Sequence, residues 1–211
     1  MFHAVIVVKF QKQKTILQLM KKINEIFCSL QGEGARQGTA NVFIRFADCN
    51  LKCPFCDTEH KKFKFMSDAQ IIEQIKKYNV PNVILTGGEP TLQIDKKFID
   101  LLHNNGFYVA IETNGTKHVP NNVDYIAVSP KGKIVQNFAD EIKILVSHKT
   151  EDKTILDTEK NINYNYKFVQ PIENISDNEE TQRNIIRCVN FVKQHPDWRL
   201  SLQIHKYIAI K

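Results

Sequence analysis

The apolar positions of this chain switch repeatedly between two periods. In "NVFIRFA" (41–47) Val42, Ile44 and Phe46 face one way and Asn41, Phe43 and Arg45 the other, the alternation of a strand. Over 67–79 the period lengthens to that of a helix, with Ile71, Ile72 and Ile75 in one stripe and Ser67 as N-cap. "NVILT" (82–86), with Val83, Ile84 and Leu85 in succession, reads as a buried strand that ends at a glycine pair. The pattern then predicts a helix over 92–105 ended by Gly106, strands over 107–113, 123–129 and 141–146, and a helix over 150–160. A strand over 166–170 follows, then a helix over 178–195 with Ile185, Ile186, Val189 and Val192 inward, and a strand over 199–205 closes the series.

Strand and helix in alternation mean parallel βα units, here about six or seven. That is too few for a closed eight-stranded barrel. The expected fold is therefore α/β, a partial TIM-type βα barrel with about six parallel strands. The 211 residues suit one domain, with no repeat and no linker to divide it. "MKKINEIF" from Met20 reads like a natural start, so residues 1–19 are expected to be a non-catalytic N-terminal extension and 20–211 the functional domain.

Parallel sheets carry their sites at the carboxyl ends of the strands. Small, polar or turn-forming residues follow five of the predicted strands: Cys49 after the first, then "GGEP", "TNGT", "PK" and "QP". Five such ends can converge on one mouth.

Composition removes several alternatives. With 42% hydrophobic and 25% charged residues the chain is neither disordered nor a disulfide knot. The net charge of +6 comes from lysines scattered over helix-like polar positions, so a nucleic-acid partner is not expected. No apolar run is long enough to span a membrane, and "MFHAVIVVKFQKQK" has the reverse order of a signal peptide. Three of the five cysteines, Cys49, Cys53 and Cys56, fall within eight residues. That pattern fits a metal site in a reducing, cytoplasmic setting. Cys28 and Cys188 read as small buried apolar residues.

Three clustered thiols admit two readings. With His60 as a fourth ligand they would make the zinc site of a binding module. Alternatively they hold three corners of an iron–sulfur cubane and leave one iron open to a substrate group. The spacing C-x3-C-x2-C, with Phe55 before the last cysteine, resembles that of the radical S-adenosylmethionine (SAM) superfamily. The longer stretch "EIFCSLQGEGARQGTANVFIRFADCNLKCPFCDTEH", followed in order by "TGGEP", "ETNGT", "SPK", "KFVQP" and "LSLQIHK", resembles the 7-carboxy-7-deazaguanine synthases from about Ile23 to the C-terminus.

That resemblance implies a modified radical SAM core acting as a lyase in queuosine and purine biosynthesis. It implies a [4Fe-4S] cluster on Cys49, Cys53 and Cys56, and SAM held by Phe55, Cys56, Asp57, Gly88, Ser129, Pro130, Lys131, Gln170, Pro171, Ile172 and Glu173, with Gly87 and Glu89 as further candidates beside Gly88. It implies Mg²⁺ on Thr58. The pterin substrate would lie against Leu30, Gln31, Gly32, Arg45, Thr86, His205 and Lys211, with Glu33 beside them. The implied reaction is the ring contraction of 6-carboxy-5,6,7,8-tetrahydropterin with release of ammonia. It would draw on an external one-electron reductant of flavodoxin or ferredoxin type, in a homodimer. Glu112 and Asn114 take no role from the resemblance. A radical SAM activase of a partner protein is the rival enzyme reading; it would not be expected to keep "SLQGEG" or the terminal "HK".

Overall fold

The computed structural model describes residues 20–211 apart from 57 and 60. The expectations for residues 1–19, Asp57 and His60 lie outside the described residues.

Among the described residues all strands join one nine-stranded sheet in the order β3-β1-β2-β4-β5-β6-β7-β8-β9. They are β1 (Lys21–Leu30), β2 (Ala40–Phe46), β3 (Lys64–Met66), β4 (Asn82–Gly87), β5 (Tyr108–Thr113), β6 (Tyr125–Val128), β7 (Phe138–Val146), β8 (Asn163–Pro171) and β9 (Arg199–Leu200). Strands β2 and β4 to β9 run parallel, whereas β1 and β3 pair antiparallel at one end. The sheet does not close into a barrel: β3 and β9 are its two ends. The helices are α1 (Asp68–Lys76), α2 (Lys96–Asn104), α3 (Asp152–Glu159), α4 (Asn178–Gln194) and the short α5 (Ile204–Tyr207). The incomplete parallel barrel expected from the pattern is thus present, with seven parallel strands when the two-residue β9 is included.

The helices cover one face. Ile71, Ile72 and Ile75 of α1 and Phe98, Ile99 and Leu102 of α2 pack on β2, β4 and β5 in one apolar cluster. Ile155 of α3 and Cys188 and Phe191 of α4 pack with β6, β7, β8 and Trp198 in a second. Ile126 on β6 touches both clusters. Ser67 caps α1 in a reciprocal capping box with Gln70, as its position suggested.

Five expectations need correction. β1 was not foreseen, because a register shift between Ile23 and Glu25 breaks its alternation. The helix expected over 92–105 begins only at Lys96, where the Asp95 carboxylate accepts from the Phe98 N–H at 2.9 Å. The strand expected over 199–205 ends at Leu200, and the Ile204 N–H donates to the Gly32 carbonyl at 3.0 Å instead of to a ladder. On α4 the buried positions are Asn184, Cys188 and Phe191, while Ile186 is 58% exposed. Asn184 turns the stripe: its amide accepts from the His148 N–H at 2.6 Å and donates to the Ile172 carbonyl at 2.7 Å. Cys188 is buried as expected, but Cys28 is exposed.

Candidate active site

The cysteine loop leaves the carboxyl end of β2 and is fixed before its first ligand is reached. Ala47 N–H donates to the Lys22 carbonyl at 2.9 Å, and Lys22 Nζ donates to Asp48 Oδ2 at 2.7 Å. Asp48 adopts the left-handed region at φ 66°. The glycine pair after β4 then clamps the stem: Gly88 N–H donates to Phe46 O and Glu89 N–H to Asp48 O, both at 3.0 Å. A Cβ on Gly88 would fall 1.9 Å from the Asp48 carbonyl oxygen, and one on Gly87, at φ +116°, 2.2 Å from that of Phe46. The pair was expected to admit a ligand; its first use is to admit the main chain of the cysteine loop.

Beyond the stem, Leu51 N–H points at Cys49 Sγ at 3.5 Å, and Cys56 N–H closes a turn onto Cys53 O at 3.2 Å. Asn114, after β5, bonds Asn50 at 3.1 Å and brings Nδ2 to 4.0 Å from Cys49 Sγ. Burial pushes the Cys49 thiol above its ordinary range, with the Glu89, Cys53 and Cys56 charges adding to the effect. Among the described residues no three His, Cys, Asp or Glu side chains are gathered tightly enough to hold a single metal ion. A donor set of three thiols on one loop, one of them accepting a backbone N–H, suits the corners of a larger cluster. Glu89 is fully buried and engaged with hydroxyl and main-chain donors. Its carboxylate accepts from Thr91 Oγ1 at 2.6 Å, Thr113 Oγ1 at 2.7 Å and Asn114 N at 2.8 Å, tying the end of β4 to that of β5.

The strand ends surround one cavity of about 390 Å³. The three cysteines line it with Phe55 and Thr58, and so do Gly87, Gly88, Ser129, Lys131, Gln170, Pro171, Ile172 and Glu173. Leu30, Gln31, Gly32, Arg45, Thr86, His205 and Lys211 line it as well. Of the described positions singled out from the sequence, Pro130 and Glu89 are outside the lining. Phe27 and Phe43, opposite each other on β1 and β2, stack at 5.0 Å and give the cavity a flat apolar wall. Arg45 Nε lies 2.9 Å from Glu25 Oε1, and Nη1 reaches Thr58 Oγ1 at 3.4 Å.

The remaining wall is the segment after β9. The Gln203 amide donates to Glu33 Oε1 at 2.8 Å, Lys206 pairs with Glu173, and Lys211 pairs with Glu25 while its carbonyl accepts from Ser29 Oγ at 2.6 Å. His205 sits on Gly32 so closely that a Cβ there would fall 2.0 Å from its Nδ1.

Sequence reasoning missed one group altogether. Lys143 on β7 is 0% exposed, and its ammonium donates to Glu33 Oε2 and Glu112 Oε2 at 2.8 Å each, with Glu141 Oε1 at 3.8 Å. Burial alone would lower the lysine, but the charges of Glu112, Glu33 and Glu141 hold it above its ordinary value. Burial would likewise raise Glu33, yet the Lys143 charge and hydrogen bonds from Lys143, Gln203 and Gln170 bring it down to about 2. Burial prevails at Glu112, reinforced by Glu33 and Glu141, and takes it up to about 7. The polar positions Glu141 and Lys143, two apart in the otherwise apolar "EIKILV", were the available signal.

Comparisons with known proteins follow this geometry. Residues 43–132 match the family model of the radical SAM superfamily. A 7-carboxy-7-deazaguanine synthase of Bacteroides thetaiotaomicron is 45% identical over 92% of this chain and 100% of the relative. One of Haemophilus influenzae is 37% identical over 90% of this chain and 93% of the relative. A crystal structure of QueE from Escherichia coli superposes with a TM-score of 0.73 at 26% identity, covering 89% of this chain and 96% of that one.

Proposed function

The chain belongs to the 7-carboxy-7-deazaguanine synthases of the radical SAM superfamily, and we infer from this that it converts 6-carboxy-5,6,7,8-tetrahydropterin into 7-carboxy-7-deazaguanine with release of ammonia. The observation that carries the reading is a single cavity walled by three cysteine thiols on one side and by Gln31, Glu33, Glu112 and Gln203 on another. An activase would have to admit a segment of protein; this cavity instead has the stacked Phe27–Phe43 wall and close polar partners that suit a flat bicycle.

When bound, the [4Fe-4S] cluster and SAM supply a carbon radical able to take hydrogen from the substrate. Cys49, Cys53 and Cys56 hold the cluster. Phe55, Gly88, Ser129, Lys131, Gln170, Pro171, Ile172 and Glu173 surround SAM, with Asp57 and Pro130 in the same stretches. Thr58 offers Mg²⁺ one hydroxyl, which suffices for an ion that keeps waters and takes a ligand carboxylate. Arg45 receives that carboxylate in this reading, which is supported by its neighbour Glu25, at 2.9 Å, being shared with Lys211. Leu30, Gln31, Gly32, Thr86 and His205 orient the bicycle. Leu51 and Leu145 join the phenylalanines in keeping water from the reacting carbon. Residues 20–211 form the catalytic domain, a flavodoxin- or ferredoxin-type protein delivers the electron, and the enzyme works in the cytoplasm as a homodimer. Among the described residues no helix is long and apolar enough to cross a membrane.

Anaerobic reconstitution with iron and sulfide, followed by incubation with SAM, Mg²⁺, a reductant and the carboxypterin, is expected to give a brown protein and 7-carboxy-7-deazaguanine by mass spectrometry. A colourless zinc protein, or an iron–sulfur protein that leaves the carboxypterin unchanged, would refute the reading.

A further inference from the structure

We propose that Lys143 is a positioning residue that holds Glu33 and Glu112 as a fixed acceptor pair for the amino-pyrimidinone edge shared by the pterin substrate and the deazaguanine product. The proposal deepens the synthase reading and rests on it.

The geometry is that of a locked frame. Lys143 spends one donor on each carboxylate. The other oxygen of each is held by an amide: Glu33 Oε1 by Gln203 Nε2 at 2.8 Å, and Glu112 Oε1 by Gln31 Nε2 at 2.9 Å. Both glutamates and both glutamines line the cavity, whereas the lysine lies behind them. Glu141 is committed elsewhere, accepting from Ala35 N at 2.7 Å and Tyr125 OH at 3.0 Å. Each oxygen of the two lining carboxylates is thus tied to the wall, Glu33 with a further hydrogen bond from Gln170, and Glu112, with one bond at each oxygen, keeps a second lone pair on both for the cavity. That array accepts hydrogen bonds and gives none. It matches a ring N–H beside an exocyclic amine and opposes a ring that carries a carbonyl there.

The lysine decides whether the array stays an acceptor. Two buried carboxylates side by side hold a proton between them unless a cation intervenes. A protonated carboxyl would present a donor to the substrate's donors. The charged groups around Glu112 are Lys143 and Glu141 from β7 and Glu33 from the loop after β1. Lys143 alone among these favours ionisation.

The test is anaerobic calorimetry on reconstituted, SAM-loaded enzyme with two probes, 7-carboxy-7-deazaguanine and its 2-desamino analogue, between pH 5.5 and 8.5. Wild-type enzyme is expected to prefer the amino compound by roughly 10- to 100-fold, the cost of leaving a buried acceptor unpaired, with the preference falling as the pH drops below about 7, where Glu112 takes up its proton. In K143M the preference should shrink to a few-fold at pH 7 and return as the pH is raised, while affinity for the desamino analogue is unchanged. E112Q keeps the lysine and the side-chain shape, so it reports even if K143M fails to fold; it should lose both the preference and the pH dependence near 7. Equal weakening of both probes in K143M at every pH would make the lysine merely structural and overturn the proposal, as would a wild-type profile in E112Q. Wild-type enzyme that binds neither probe would instead overturn the synthase reading, and the proposal with it.

Discussion

At the scale of single residues, the tightest constraints are steric and electrostatic. Gly88→Ala places a methyl against a main-chain carbonyl that cannot swing aside, so the stem of the cysteine loop must shift. A cost of about 1–3 kcal/mol in stability is expected, together with a loss of iron per chain on reconstitution, measured against unchanged far-ultraviolet circular dichroism. Gly32→Ala meets a side chain instead, the His205 imidazole, so the cluster should load normally while KM for the carboxypterin rises. The two cavity glutamates have opposite pH signatures. Glu33, lowered from 4.5 to about 2, adds stability above pH 4.5 that is lost as the pH falls toward 2. Glu112, raised to about 7, binds its proton more tightly folded than unfolded, so its contribution is full below 4.5 and is lost as the pH rises through 7. Urea midpoints of E112Q should therefore lack the decline that this group gives the wild type between about pH 4.5 and 7.

At the scale of elements, the sequence was most legible where one period ran unbroken. "NVFIRFA" and "NVILT" became β2 and β4, and the Ser67 helix became α1 with its capping box. Ser67→Ala should cost about 1 kcal/mol by chemical denaturation and leave turnover untouched, because α1 packs on the face of the sheet away from the cavity. Legibility failed where a side chain or an irregularity overrode the period. The register shift in β1 hid a ten-residue strand, Asn184 rotated the buried stripe of α4, and the Gly32 carbonyl drew residue 204 out of the ladder. The cysteine loop was legible because its spacing is itself the signal. Lys143 was not, because a lysine in a strand reads as solvent-facing until its three carboxylates, distant in sequence, are folded around it.

At the scale of the whole molecule, two apolar clusters lie under a single sheet and meet at Ile126. Phe98→Ala in the first is expected to cost about 3–5 kcal/mol and still to give one calorimetric transition, because the shared sheet couples the halves; two separate transitions would contradict this. The sheet also leaves a gap that hydrogen-bonded strands do not fill. The segment after β9 crosses it by side-chain pairs, Lys206 with Glu173 and Lys211 with Glu25, and by the Gln203–Glu33 bond. A closed ring of strands fixes its own circumference, and widening it means breaking ladder bonds along a full strand. Here the perimeter includes a seam held by one main-chain bond, from Ile204 N–H to the Gly32 carbonyl, and by a few partly exposed charges that dissolved ions can screen. Opening at that seam would leave every rung of the β-ladder intact.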